Sequence, residues 1–204
     1  MKQRQGFERN VIGIKKALNC FESEKQERAG AFDRASVAMI LSEGSNDYEV
    51  CFIKRAIRAG DPWSGQVAFP GGRANKDDPS VRFIAERETK EEIAIELRHG
   101  DYLGRLPSVD ASNNLSKRSL ELFSFVYFID GRRRADAVAD PKEGDSIFWV
   151  PIERLLESAE IIEFEYPLGK KRSKYSGIRY DNYIIWGLTQ RIIRNFDAAL
   201  KNAP

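Results

Sequence analysis

The run from Gly65 to Ala94 constrains this chain more than any other. Gly65–Phe69 is a short strand-like apolar stretch, Pro70-Gly71-Gly72 breaks it, and a helical pattern starts near Pro79 and lasts to about Ala94. Pro79 suits the start of a helix, where the missing N–H would find no partner in any case. A strand, a glycine turn and a helix therefore stand in series.

The rest of the chain extends that pattern. Ser36–Leu41 and Tyr48–Ala56 read as a hairpin around Gly44 and Asn46, and further strands are predicted at Tyr102–Leu106, Leu120–Ile129 and Ser146–Val150. Pro151 starts a short helix through Leu156. Tyr183–Leu200 places Ile184, Ile185, Leu188, Ile192, Ile193, Phe196 and Leu200 on one stripe, predicting a closing helix packed on a sheet. Strands interleaved with a few helices give an α/β class, a mixed sheet between helical layers. At the start, Phe7–Phe21 repeats apolar residues at three-to-four spacing, which predicts an amphipathic helix. We read residues 1–30 as a helical arm on a domain spanning 31–204. Its stripe must be buried on that domain or on a second copy, so a homodimer is one expectation.

Composition narrows the function classes. No stretch approaches the ~20 apolar residues of a membrane span, and Met1–Arg9 lacks the apolar centre of an export signal, so a cytoplasmic protein with no membrane partner is expected. Cys20 and Cys51 are far apart and outside any metal-binding spacing, so both read as small buried residues. The formal charge of +2 gives no global pull toward nucleic acid. Arg132–Arg134 and Lys170–Lys174 read first as solvated loops, with phosphate recognition as the sharper alternative. His99, the lone histidine, belongs to a turn, and Trp63, Trp149 and Trp186 read as core or pocket-wall residues ahead of base-stacking platforms.

The chemistry concentrates on the predicted helix. Glu88, Glu91 and Glu92 stand at i, i+3 and i+4 and share one face. Like charges so placed cost ~0.2–0.5 kcal/mol per pair, which a cation would offset. Mg²⁺ is the natural candidate, a hard ion that keeps several waters and bridges a few carboxylates to substrate phosphates. The plain structural alternative is a salt-bridged surface, Glu86 with Lys90 and Arg87 with Glu91. Gly71 and Gly72 just upstream favour the metal, because they let main chain approach an ion or phosphate without Cβ interference.

Gly72 and Arg87-Glu88-Thr89-Lys90-Glu91-Glu92 together resemble the Nudix box. That resemblance implies a Nudix-type α/β/α sandwich with a mixed sheet over about Ser36–Leu200, and a Mg²⁺ cofactor with Mn²⁺ as the alternative ion. It implies Glu88 and Glu92 as principal metal ligands, Glu91 assisting, the Gly71 carbonyl completing the shell, and Arg87 orienting the carboxylates. Thr89 and Ala94 replace a usual aliphatic residue and a usual glycine, and Asp78 is the nearest acid to the usual intermediate glutamate. Ser64–Gly72 and the longer box spacing are similar to the coenzyme A diphosphatase subgroup. Phe52–Ala56 resembles the start of its second motif, with Ile53 for threonine and Trp63 where histidine is often found. On this reading Arg55, Gln66 and Arg73 bind substrate. Glu143, in Asp140–Asp145, resembles the acid of the family's late loop and is the expected base, with Glu91 as competitor.

The expected function is Mg²⁺-dependent hydrolysis of the diphosphate linkage of a small nucleoside diphosphate derivative, coenzyme A or an acyl form first. Other readings are an ADP-ribose or NADH pyrophosphatase, a nucleotide-cap hydrolase, or a nucleotide-binding Nudix module without catalysis. Balanced charge makes a nucleic-acid substrate the less favoured one.

Overall fold

A computed structural model describes residues 10–19, 34–57, 64–111, 120–141, 144–168 and 171–203. At its centre β1 (Arg34–Glu43) runs parallel to β6 (Glu121–Ile129) along one edge. On the other edge β1 has two antiparallel partners, β4 (Gly71–Arg73) against Ala35–Val37 and β2 (Tyr48–Arg55) against Leu41–Glu43. β3 (Val67–Ala68) and β7 (Gly144–Pro151) pair with β2, and β5 (Tyr102–Asp110) lies beyond β6, completing a mixed seven-stranded sheet.

β1 and β6 are buried along nearly their whole length, so both faces of the sheet need cover. On one face α2 (Val81–Ile93) packs Val81, Ile84, Ala85 and Ile93 onto Ala38, Ile40, Phe125 and Tyr127. On the other, α1 (Val11–Leu18), α4 (Ile152–Leu156) and α5 (Gly187–Lys201) bring Ile14, Leu18, Ile152, Ile192, Ile193 and Phe196 into one cluster with Met39, Leu41 and Val126. The α/β class and the mixed sheet between helical layers are as expected from sequence. Cys51 is fully buried, and burial pushes its thiol up, as suits an inert core residue; Cys20 lies outside the described residues.

Several elements differ from the sequence-based expectations. The helix expected over Tyr183–Leu200 is divided: Tyr183–Trp186 forms β10, pairing with Gly177–Tyr180, and only Gly187 onward is helical. Ladder pairing wins there because a partner strand that sequence reading missed lies alongside. That partner is β9 (Lys171–Tyr180), joined to β8 (Glu160–Leu168) in a second, three-stranded antiparallel sheet. Lys171–Lys174 therefore belongs to a strand, while Lys170 lies outside the described residues. Gly71–Arg73 is strand as well as turn.

Arg132–Arg134 sits in a one-turn helix, α3 (Gly131–Ala135), capped by Asp130. Arg133 bonds Asp101 (2.6 Å) and the Glu96 carbonyl (2.5 Å). Arg134 bonds the Glu43 carbonyl (3.0 Å), pairs with Glu49 and lies 4.6 Å from the Trp149 ring centroid. Two of the three arginines are thus an internal clip, not a solvated loop. Of the Phe7–Phe21 stretch, residues 10–19 are described, and Ile14, Ala17 and Leu18 are buried in the chain's own core. Among the described residues no helix is long and apolar enough to cross a membrane.

Candidate active site

The site grows from the β4–α2 connection. Ser80 starts α2 by accepting from the Phe83 N–H (3.1 Å), and the helix ends at Ala94, held left-handed at φ 59°. A side chain there costs roughly 1–2 kcal/mol, which explains why glycine is usual at that point of the box. Thr89 is buried, and its hydroxyl donates to the Ala85 carbonyl at 2.7 Å, so the departure from an aliphatic residue leaves no polar atom unsatisfied.

Gly71 and Gly72 meet different demands. Ala38 N–H donates to the Pro70 carbonyl and Ala74 N–H to the Arg34 carbonyl, so Gly71, opposite Val37, occupies a pair that exchanges no bonds with β1. Its N–H and C=O therefore point away from β1, and the N–H donates to Glu92 Oε2 at 2.8 Å. Gly71 holds φ +154°, and a Cβ there would lie 2.6 Å from Val37 Cα. Gly72 has the Glu88 carboxylate laid against it: a Cβ would sit 2.5 Å from Oε2 and 2.6 Å from Oε1.

Arg87 binds the patch together. Its Nε and Nη2 fork onto Asp78 (2.9 and 3.0 Å), Nη1 donates to Glu88 (2.7 Å) and Glu91 (3.1 Å), and Nη2 also reaches the Arg73 carbonyl (3.3 Å). These bonds hold the guanidinium firmly protonated. Burial alone would raise the Asp78 carboxyl, but hydrogen bonds from Arg87 and the Asn75 N–H outweigh it and hold it below the ordinary range. Glu88 moves the other way: burial pushes it up, Arg87 pulls it back in part, and Glu91 and Asp78 add to the rise. Of the expected surface pairs only Arg87–Glu91 forms; Glu86 pairs with Arg82 (2.8 Å) and accepts from the Tyr127 hydroxyl (3.2 Å), and Lys90 pairs with Glu96 (3.1 Å).

Among the described residues no three acidic, histidine or cysteine side chains converge into a closed metal cage. Arg87 engages Glu88 and Glu91, and Gly71 engages Glu92. The donor set nevertheless fits a hard divalent ion. It is all oxygen, it carries partly buried negative charge, and Gly72 removes the atom that would otherwise fill the space against Glu88. Mg²⁺ completes its shell with water and phosphate, so an open set suffices.

A NUDIX domain model matches residues 32–169. The chain belongs to the NUDIX domain family. Its relatives include the Arabidopsis thaliana protein named Nudix hydrolase 15, mitochondrial, 28% identical over 92% of this chain and 62% of that protein. A Nudix hydrolase named NudL from Pectobacterium atrosepticum is 29% identical over 69% of this chain and 70% of its own length. A MutT/nudix family protein from Enterococcus faecalis shares the fold at a TM-score of 0.59 and 17% identity, covering 90% of this chain and 68% of that one. The chain spans less than two thirds of the Arabidopsis relative's length. Family model and fold together mark a NUDIX domain.

Within this Nudix domain, Arg55 N–H donates to the Gln66 carbonyl (3.0 Å), joining β2 to the lead-in run, and Arg73 is exposed at the end of β4. Glu143 lies outside the described residues. The segment before it is anchored by Val138 and Asp140 N–H groups on the Ile93 and Glu92 carbonyls, and Gly144 after it pairs opposite Arg55. Sequence reading noticed Asp78 only as an imperfect match; it is the 3%-exposed partner that fixes Arg87. The available signal was an acid ahead of Pro79 in a loop whose Asn75 can close a turn on it. Asp78→Asn should cost about 2–3 kcal/mol, because the fork loses its charge and Arg87 keeps only Glu88 and Glu91. Since the native pKa is depressed, this contribution is present above the ordinary value of 3.8 and fades as pH falls through the native one. Urea unfolding across that range checks it: a deficit independent of pH would contradict the ion pair.

Proposed function

We propose that this chain hydrolyses the diphosphate linkage of a nucleoside diphosphate derivative, coenzyme A or an acyl form first, with Mg²⁺ as cofactor and Mn²⁺ able to replace it. The observation that carries the reading is the Glu88 carboxylate laid on Gly72 beside Glu92, which is held by the Gly71 N–H, with Arg87 spanning Glu88, Glu91 and Asp78. Glu88 and Glu92, with Glu91 and the Gly71 carbonyl, would hold the ion. When bound, it neutralises charge on the diphosphate and acidifies water.

The chain's own groups do the rest. Arg87 keeps the carboxylates in one orientation, so little reorganisation is needed when substrate arrives. Glu143 accepts the proton of the water that attacks one phosphorus while the other phosphate leaves; Glu91, 55% exposed and bonded to Arg87, is the alternative acceptor. Arg55, Gln66 and Arg73, at the ends of β2, β3 and β4, engage the substrate's phosphates and adjoining groups. The coenzyme A preference rests on the Ser64–Gly72 run and the box spacing.

A panel of coenzyme A, ADP-ribose, NADH and dinucleoside polyphosphates, with and without Mg²⁺ and with products identified by mass, tests the reading. We expect Mg²⁺-dependent cleavage of coenzyme A to phosphopantetheine and a 3′-phosphoadenylate. Good ADP-ribose cleavage with indifference to coenzyme A would overturn the substrate preference, and no metal-dependent cleavage of any of them would overturn the hydrolase reading.

A further inference from the structure

β1 presents its even-numbered residues to α2: Ala38 and Ile40 share a cluster with Ile84 and Ala85, and strand alternation puts Ser36 on the same face. Across the ladder Ser36 stands opposite Gly72. Paired positions on one face lie about 4.5–5.5 Å apart at Cβ, so Ser36 and the bare face of Gly72 are immediate neighbours. The Glu88 carboxylate fills that bare place, its Oε2 and Oε1 lying 2.5 and 2.6 Å from where a Gly72 Cβ would be. The cross-strand neighbour of Ser36 is therefore a carboxylate delivered by α2 and not a side chain of β4.

Both groups hold bonding capacity in reserve. Ser36 is fully buried, and among the described residues its hydroxyl has no hydrogen-bond partner. Glu88 accepts from Arg87 at Oε1 (2.7 Å), and among the described residues nothing donates to Oε2. A buried hydroxyl without an acceptor is costly, and here an idle carboxylate oxygen stands next to it. We propose that Ser36 is a positioning residue for the metal site, its hydroxyl donating to the Glu88 carboxylate when Glu88 turns from Arg87 to a divalent ion. The proposal rests on the reading of Glu88 as a metal ligand. Carboxylates that ligate metals are themselves held by hydrogen bonds from the groups behind them, and losing such a partner weakens metal binding by about 10–100-fold. An orphaned hydroxyl recurs at Ser124, between Leu122 and Val126 on the opposite face of the sheet, away from α2. Ser124 thus shares the burial of Ser36 without its neighbour.

Ser36→Ala in the full chain, with Ser124→Ala as control and Glu88→Gln as reference, tests the assignment. Mn²⁺ binding is followed by electron paramagnetic resonance, and urea unfolding is measured without divalent ion. Ser36→Ala should weaken Mn²⁺ binding about tenfold or more, yet unfold at no lower urea concentration than the wild type, because no bond is lost in the ion-free fold. Ser124→Ala should match it in unfolding and bind Mn²⁺ as the wild type does. In a Glu88→Gln background the Ser36 substitution should change Mn²⁺ affinity by less than about twofold, since the two act as one unit. Unchanged Mn²⁺ affinity in Ser36→Ala, or a marked loss of stability without ion, would overturn the role given to its hydroxyl. Equal weakening by Ser124→Ala would trace the effect to the sheet at large and overturn it as well. If Glu88→Gln binds Mn²⁺ as tightly as the wild type, the metal reading fails and takes the Ser36 role with it; loss in Glu88→Gln without loss in Ser36→Ala strikes the Ser36 role alone.

Discussion

Glu92→Gln should lower turnover by about 10²–10³-fold while leaving the fold as stable as before. Glutamine keeps an acceptor for the Gly71 N–H, so the 2.8 Å contact survives, and only the charge is lost. Glu92 is 4% exposed and shares its patch with Glu88 and Glu91, and burying a charge beside like charges is costly. Removing it relieves that cost and takes away one of the proposed metal ligands, and metal stabilisation of the transferring phosphate is worth several kcal/mol, at about 1.4 kcal/mol per tenfold. Kinetics at saturating Mg²⁺ beside thermal unfolding without metal give both numbers. Wild-type turnover in this variant would remove Glu92 from the metal site, and a large loss of stability would mean that its charge, not its acceptor, holds Gly71.

The adjacent glycines should separate in the same pair of measurements. Gly71→Ala forces a side chain into φ +154° with its Cβ on the backbone of β1, so we expect a loss of about 3 kcal/mol, or roughly 6–12 °C in Tm for a chain of this size. Gly72→Ala meets no backbone within its three nearest contacts; all three are atoms of the Glu88 carboxylate, the far end of a flexible side chain. Its stability should change by less than 1 kcal/mol, while displacement of Glu88 by an ångström or so should cost about 10²-fold in turnover. The reverse pattern, with Gly72→Ala unfolding and Gly71→Ala merely slow, would contradict the assignment of Gly71 to the sheet and Gly72 to the carboxylate.

Legibility in the sequence followed the range of the interactions. The β1–β2 hairpin, α2 and β6 are written in local periodicity, and the Glu88–Glu91–Glu92 face in helical arithmetic. Tyr183–Trp186 was misread because Ile184 and Ile185 satisfy helical and strand periods equally over four residues, and only the neighbouring β9 decides between them. β8 and β9 hid behind their charges: Glu163, Glu165, Arg172 and Lys174 resemble a polar loop, yet on one exposed hairpin they alternate with Ile162, Phe164 and Tyr175. Arg133 and Arg134 read as part of a solvated loop because nothing local announces Asp101, the Glu43 carbonyl or Glu49 as their partners. The fork of Arg87 on Asp78 is semi-local, nine residues apart, and sequence reading saw its two ends without joining them.

The parallel contact of β1 with β6 bears on the order of assembly. Arg34–Ser42 must wait for Glu121–Ile129 to be synthesised and brought back, across β2, β3, β4, α2 and β5, before the centre of the sheet exists. Closing so long a loop costs little in equilibrium terms, since its entropy grows only logarithmically, but non-local pairing delays the nucleus. α2 gains the floor under Ile84 and Ile93 only then, because Phe125 and Tyr127 of β6 form part of it. The glutamate triad is local in the chain yet among the last features to become rigid, so a nascent or truncated chain could carry every residue of the motif without the platform that aligns them.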